Sequence, residues 1–235
     1  IRLSEILFNP YPDGSDFVEV YNSGSLPIDL SRLRLAHADL FTGQAQDVIP
    51  FTAAPRLLMP GRYAAATTDI ADIRKRYIVS DLRTLMPAGL PSYNDDEGIV
   101  VLMEPSLQEI ERYHYRELHH FPLINDPEGV SLERVSMYLP SVDSTSWHSA
   151  AENAGFATPG APNSQRVETA TGNQWLSVNP VLITPDNDGY HDVQQIFCVP
   201  SHSGFVAHLQ ILNAQGVPVR TLARQELMGD AGTWI

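Results

Sequence analysis

One run of hard oxygen donors in this 235-residue chain is Asp186-Asn187-Asp188-Gly189-Tyr190-His191-Asp192. Asp186, Asp188 and Asp192, the Asn187 side chain and the Tyr190 carbonyl could present several oxygens within one tight turn. Calcium takes about six to eight such ligands. Gly189 lets the chain bend sharply enough to present them. The loop is not an EF-hand. Counted from Asp186, the twelfth residue is Phe197, where that motif needs a bidentate glutamate, and the glycine comes too early. Two readings stand. In one the loop holds calcium, because three carboxylates in one turn repel each other and a cation relieves the repulsion. In the other it is an Asp-Gly turn whose carboxylates cap backbone amides.

Other chemistry-bearing residues are sparser. His114, His119 and His120 cluster with Glu117, and two imidazoles with a carboxylate can bind a transition metal. On a strand, His114 and His120 would share a face and His119 would point away. The preferred reading is of hydrogen-bonded or exposed imidazoles on a strand and loop. Glu5 and Glu19 fall on adjacent expected strands. Paired carboxylates can do acid–base work when their pKa values split, but no pattern sets a substrate between them, so a structural role is expected. Asp95-Asp96-Glu97 reads as a turn with solvated charge, with calcium as its alternative. Cys198 is the single cysteine, which excludes an intrachain disulfide and a cysteine zinc site. It sits in an apolar strand pattern and reads as a small buried filler. Gly-x-Ser-x-Gly, Gly-x-x-x-x-Gly-Lys and His-Glu-x-x-His are absent, so no hydrolase or phosphate-cradling motif is present.

Composition narrows the partners. The net charge is −13 and the pI about 4.9, which opposes a phosphate backbone that needs clustered Lys and Arg. The longest basic run is Arg74-Lys75-Arg76, three residues in an amphipathic stretch. Nucleic acid is therefore not an expected partner. No apolar run approaches the roughly 18 residues of a membrane helix, so membrane insertion is not expected. With 43% hydrophobic and 18% charged residues the chain reads as globular. Prolines outnumber glycines, 18 to 15; prolines break helices and cannot donate inside sheets, which favours many short strands.

Those strands can be placed. Ile1 to Phe8, Phe17 to Tyr21, Leu33 to Leu35, Val48 to Phe51, Gly98 to Met103, Ile110 to Tyr115 and Val130 to Val135 carry apolar or alternating patterns. Val18, Val20, Leu33, Leu35, Val100, Leu102, Leu132 and Trp147 are the expected core. One helix is expected, capped by Thr68-Asp69, with Ile70, Ile73 and Tyr77 at helical spacing and the arginines on the wet side. From Trp147 to Gln165 small residues, Gly and Pro suggest an extended surface path. Residues 167–174 read as a linker. Beyond it, Trp175 to Ile183, Gln194 to Val199, Phe205 to Leu212 and Val217 to Leu222 read as strands, the last two joined at Ala214-Gln215-Gly216.

Ile6-Leu7-Phe8-Asn9-Pro10, Asp16 to Asn22 and Pro27-Ile28-Asp29-Leu30-Ser31 resemble the opening of bacterial lamin tail domains. Gly129 to Arg134, Trp147-His148-Ser149-Ala150-Ala151 and Ala157-Thr158-Pro159-Gly160 with Asn163-Ser164 extend the resemblance across residues 1–166. The sequence departs from that pattern at Arg32 and Leu33, where the family usually has glycine and tryptophan. Thr184 to Asp192, Ile211 to Leu222 and Gly232-Thr233-Trp234 resemble the immunoglobulin-like domain of flagellar hook-scaffolding proteins. The resemblance implies an all-β chain of two immunoglobulin-like β-sandwich domains: a lamin-tail-like domain over 1–166 with a short helical insertion, and an incomplete domain over 175–235, with its last strands expected after Trp234. It implies an extracytoplasmic address, secreted or on the cell surface. The expected job is non-catalytic, a structural or adhesive module whose partner is a surface protein or glycan, with self-association through an unpaired sheet edge as a further expectation. The alternative is that these are ancillary domains of a larger extracellular enzyme, of nuclease or phosphoesterase type, whose catalytic domain lies outside this chain.

Overall fold

Short apolar runs separated by Pro-, Gly- and Asn-rich turns fold into strands that pair almost entirely antiparallel. The computed structural model describes residues 1–122, 124–166, 176–186, 191–200, 204–229 and 231–234. Over these the protein is all-β, with one short α-helix and several 3-10 turns among the described residues. Its strands are β1 (Arg2–Leu7), β2 (Phe17–Tyr21), β3 (Ile28–Asp29), β4 (Arg34–Ala38), β5 (Ala45–Pro50), β6 (Leu57–Leu58) and β7 (Tyr63–Thr67). Helix α1 (Ile70–Arg76) follows, then β8 (Leu85–Pro87), β9 (Glu97–Met103), β10 (Glu109–Arg116), β11 (Leu132–Arg134) and β12 (Trp147–Ser149). The remaining strands are β13 (Leu176–Asn179), β14 (Gln195–Cys198), β15 (Phe205–Leu212), β16 (Pro218–Met228) and β17 (Gly232–Trp234).

Two sheets sandwich the main core. One has six strands in the order β12-β11-β1-β2-β7-β8, the other four in the order β10-β9-β4-β5. Only β7 and β8 pair in parallel within them. Leu3, Ile6, Val18, Val20 and Leu132 from the first sheet meet Leu35, Val100, Leu102, Tyr113 and Tyr115 from the second in one buried cluster. All eight residues expected in the core belong to it. Trp147 stacks on Tyr113 with ring centroids 4.2 Å apart, and its indole N–H donates to the Ser141 carbonyl at 2.9 Å. Truncating such a residue costs about 3–5 kcal/mol.

The first sheet is buried on its outer face as well. There Leu7, Phe17, Ala65 and Leu85 pack against Ile73 of α1, Tyr77 and Ala157. The helix is too short to stand alone; this contact and its cap hold it. Asp69 accepts from the amides of Ala71 and Asp72, a cap worth about 1 kcal/mol. The expected wet face is only partly wet. Arg74 and Lys75 are exposed, whereas Arg76 pairs with Asp72, donates to the Pro12 carbonyl and lies over the Tyr11 ring.

A buried ion pair ties the two sheets at one end. Arg134 donates through Nη1 to both Glu111 carboxylate oxygens, at 3.1 and 2.8 Å, and to the Leu3 carbonyl. The Leu3 amide and Arg2 also donate to Glu111. Losing one partner would strand a buried charge at a cost of about 3–5 kcal/mol.

The C-terminal strands form separate small sheets, β13-β14-β17 and the hairpin β15-β16. The hairpin turn falls at the expected Ala214-Gln215-Gly216: Asn213 donates to the Val217 carbonyl, its side chain accepts from Gln215 and Val217, and Gly216 has φ +79°. The strand expected over Trp175 to Ile183 stops at Asn179, because Pro180 cannot donate to a ladder. The expected linker residues 167–174 lie outside the described residues.

Candidate functional site

Strand β1 runs through the middle of the six-stranded sheet, and register places its Glu5 opposite Glu133 of β11 on one side and Glu19 of β2 on the other. Glu19 in turn faces Ala65 of β7, and Glu133 faces His148 of β12. The three glutamates thus stand side by side on the outer face, while Ile6, Leu132 and Val18 alternate with them into the core. Each of the three is 0% exposed. The cover is a strap of small residues, Ala157 to Gln165, laid across the carboxylates.

The strap is fastened by hydrogen bonds to the glutamates. Glu5 Oε1 accepts from the Thr158 amide at 2.8 Å and from Ser131 Oγ at 2.5 Å. Glu133 Oε2 accepts from Ser164 Oγ at 2.7 Å and from the Gln165 amide at 2.8 Å. Glu19 Oε2 accepts from the Gly160 amide at 2.6 Å. Gly160 has φ +81°, and a Cβ there would lie 1.8 Å from Thr84 Oγ1, so only glycine lets the strap come this close. Thr158 Oγ1 lies within bonding distance of both Glu5 Oε2, at 3.1 Å, and Glu133 Oε1, at 2.6 Å. A hydroxyl has one proton to give. For both contacts to be hydrogen bonds, one of the two carboxyl groups must carry a proton and donate it.

Electrostatics agree with that count. Burial, and then the charge of Glu133, push the Glu5 carboxyl up to about 8. Burial, and then the charge of Glu5, raise Glu19 well above the ordinary carboxylate range. Glu133 is raised as well, by burial, against the pull of its Thr158 and Ser164 hydrogen bonds. Glu19 Oε1 is buried and, among the described residues, has no hydrogen-bond partner, an arrangement that favours the neutral acid. The shared Thr158 hydroxyl and the raised Glu5 carboxyl both point to a proton held within the row. With no exposed oxygen, the row can grip the strap but offers no surface to a substrate.

The histidines do not converge. Beyond Arg116 the chain leaves β10 and makes a 3-10 turn over Glu117–His119, so the strand register that would align His114 with His120 does not reach His120. His114 Nε2 pairs with Glu97 Oε1 at 2.7 Å, and His119 Nδ1 with the Tyr113 hydroxyl at 2.9 Å. His120 Nδ1 pairs with Ser149 Oγ at 2.9 Å, and burial lowers its imidazole to about 4. Glu97 also accepts from Arg116, and Asp96 Oδ1 accepts the Glu97 amide, which makes Asp95-Asp96-Glu97 a braced turn. Among the described residues no three His, Cys, Asp or Glu side chains are set to hold a metal ion. Cys198 is half-buried on β14, with burial raising its thiol. Of the calcium candidates, Asn187, Asp188 and Tyr190 lie outside the described residues; Asp186 and Asp192 are described, and beside them the Thr184 amide donates to the His191 carbonyl at 2.9 Å.

Sequence reasoning singled out Glu5 and Glu19 but not Glu133, nor Thr158, Gly160, Ser164 and Gln165 as its clamps. A partial signal was there: each Glu interrupts a strand beside at least one apolar residue, in Ser4-Glu5-Ile6, Val18-Glu19-Val20 and Leu132-Glu133-Arg134, at the outer-face phase of its strand. The donors were harder to find, because half of them are backbone amides that any residue supplies. No protein-family model matches the chain, and neither do any of the curated proteins or solved structures compared with it.

Proposed function

We propose that the chain is a non-catalytic interaction module of a secreted or cell-surface protein, structural or adhesive, pairing a lamin-tail-like domain with a hook-scaffolding-like one. The observation that carries this reading is the sealed carboxylate row. The best-placed acid–base residues of the chain are fully buried and engaged by the strap, so they serve as fasteners of the fold. Glu19, Glu133, Thr158, Gly160 and Ser164 are among the residues that carry the lamin-tail resemblance, and Glu5 directly precedes its first motif, which supports a structural origin for those motifs. The extracytoplasmic address rests on that resemblance.

The test is turnover. The purified chain is incubated with nitrophenyl phosphate, single- and double-stranded DNA, RNA and nitrophenyl glycosides. No product above the buffer rate is expected. Activity that survives repurification and disappears with His120→Ala would overturn the reading.

A further inference from the structure

A cleft of about 510 Å³ opens where the six-stranded sheet meets the β3-β6 ribbon. Three of the chain's 15 basic residues, Arg56, Arg62 and Arg83, line it, on a protein whose net charge is −13. All three are exposed. Arg83 is held by Asp81 through Nε and Nη2, at 2.9 to 3.2 Å. Arg56 gives one donor to the Arg83 carbonyl at 3.0 Å and has no ion pair among the described residues. Arg62 has neither a side-chain hydrogen bond nor an ion pair among them. The nearby Asp29 is occupied with the amides of Ser31 and Arg56. Asp81, the carboxylate that lines the groove, is taken up by Arg83, which leaves the guanidiniums of Arg56 and Arg62 exposed without an ion pair among the described residues.

The rest of the lining says what kind of anion fits. Leu57 and Met59 stand exposed on the rim, at 65% and 52%, and a thioether adapts to varied apolar side chains. The walls are backbone edges. Strand β8 is terminal in its sheet, and β6 pairs only with β3. Edge strands present N–H and C=O groups that an extended chain can pair with. Guanidinium forks match carboxylates in two-point hydrogen bonds. The remaining wall, Gly160 to Pro162 of the strap, is held in place by the Glu19–Gly160 bond.

We propose that this groove docks an extended acidic polypeptide segment, its carboxylates on Arg56 and Arg62, its backbone along a free strand edge and an apolar side chain against Leu57 and Met59. This inference rests on the reading of the chain as an interaction module and names the class of partner.

The test is fluorescence anisotropy with a short labelled peptide alternating Glu and Leu, a matched Lys and Leu peptide, and a polyuronate chain. The intact protein is expected to bind the acidic peptide, more weakly as salt rises, and to leave the basic one free. The double variant R56A/R62A should bind the acidic peptide at least about tenfold more weakly. R56K/R62K should fall between, since it keeps charge but loses the forks. Circular dichroism and melting confirm that both variants fold. Unchanged affinity in R56A/R62A, equal binding of the basic peptide, or binding of the polyuronate alone would each overturn the groove assignment. Turnover assays on the same samples separate that failure from a failure of the interaction-module reading.

Discussion

Three glutamates side by side repel one another when ionised, and burial removes the water that would screen them. Their folded pKa values therefore lie above the unfolded value of 4.5, for Glu5 at about 8. The sign follows from linkage. A group that binds its proton more tightly in the folded state contributes stability present below its unfolded pKa and lost as pH rises through its folded one. The row should thus cost stability progressively between pH 4.5 and 8. Other groups overlap part of this window. His120, lowered to about 4, acts in the opposite sense below its ordinary value of 6.5. Asp16, raised to about 7 by burial and Asp95, acts with the row. Comparing Glu19→Gln with the parent protein cancels them. The amide can present its carbonyl to the Gly160 N–H and its NH2 where Glu19 Oε1 stands. Melting temperatures of the two proteins should nearly coincide at about pH 5, and the variant should lead by several degrees at about pH 8, at roughly 2–4 °C per kcal/mol. A difference that stays flat or reverses with rising pH would mean that the row is not proton-loaded.

At the scale of elements, the strap couples the carboxylates to the groove, because Gly160 meets Glu19 on one side and walls the cleft on the other. Gly160→Ala would force a Cβ into Thr84 at a positive φ and should cost about 1–3 kcal/mol. Gly155 is its control: φ is again +81°, but an added Cβ meets nothing within 4 Å, so alanine there should cost about 1 kcal/mol of backbone strain alone. Hydrogen exchange should rise at the Thr158 and Gln165 amides in the first variant and not in the second. Equal exchange at these amides in the two variants would remove the strap from the account. The strands of this region were legible because a two-residue period leaves a clear apolar trace, and the helix because Asp69 and Ile73 fit cap and face. The strap was legible as extended but not as buried. Ala157, Asn163 and Gln165 are nearly or fully buried, yet small and polar residues carry no pattern that separates a covered path from an open one. The alignment of His114 with His120 that a strand would give fails for a related reason: a 3-10 turn at Glu117 breaks the periodicity on which facing residues are counted.

Over the whole molecule, burial is uneven, and that sets the order of unfolding. The six-stranded sheet is packed on both faces, and its sandwich with β10-β9-β4-β5 holds the large apolar cluster. In the C-terminal strands the buried apolar side chains among the described residues are Ile196, Ala223, Leu227 and Met228. Val181, Leu182, Val193, Leu212, Val217 and Val219 stand exposed. This part meets the first mainly at one end, where β16 approaches the turn at Glu152–Ala154, Gly229 lies against the Ser164 backbone and Gly204 against the His148 ring, with polar contacts beside them: the Gly204 amide donates to Gln165 Oε1 at 2.7 Å and Asn153 to the Ala231 carbonyl at 3.5 Å. Segments with little buried apolar area open at low free energy, independently of a well-packed neighbour. Amides of β13 to β16 should therefore exchange well before those of β1, β2 and β9, by at least about tenfold, and calorimetry should resolve a minor transition ahead of the main one. A single transition with uniform protection across both regions would show that the polar contacts weld them into one cooperative unit. Calcium gives the same exchange experiment a second readout. An ion held by Asp186, Asp188 and Asp192 would slow exchange of the Thr184 amide at the loop neck and raise the minor transition by mass action, with chelator restoring both. An Asp-Gly turn without an ion would leave both unchanged across millimolar calcium, and Asp188→Ala would then be equally silent.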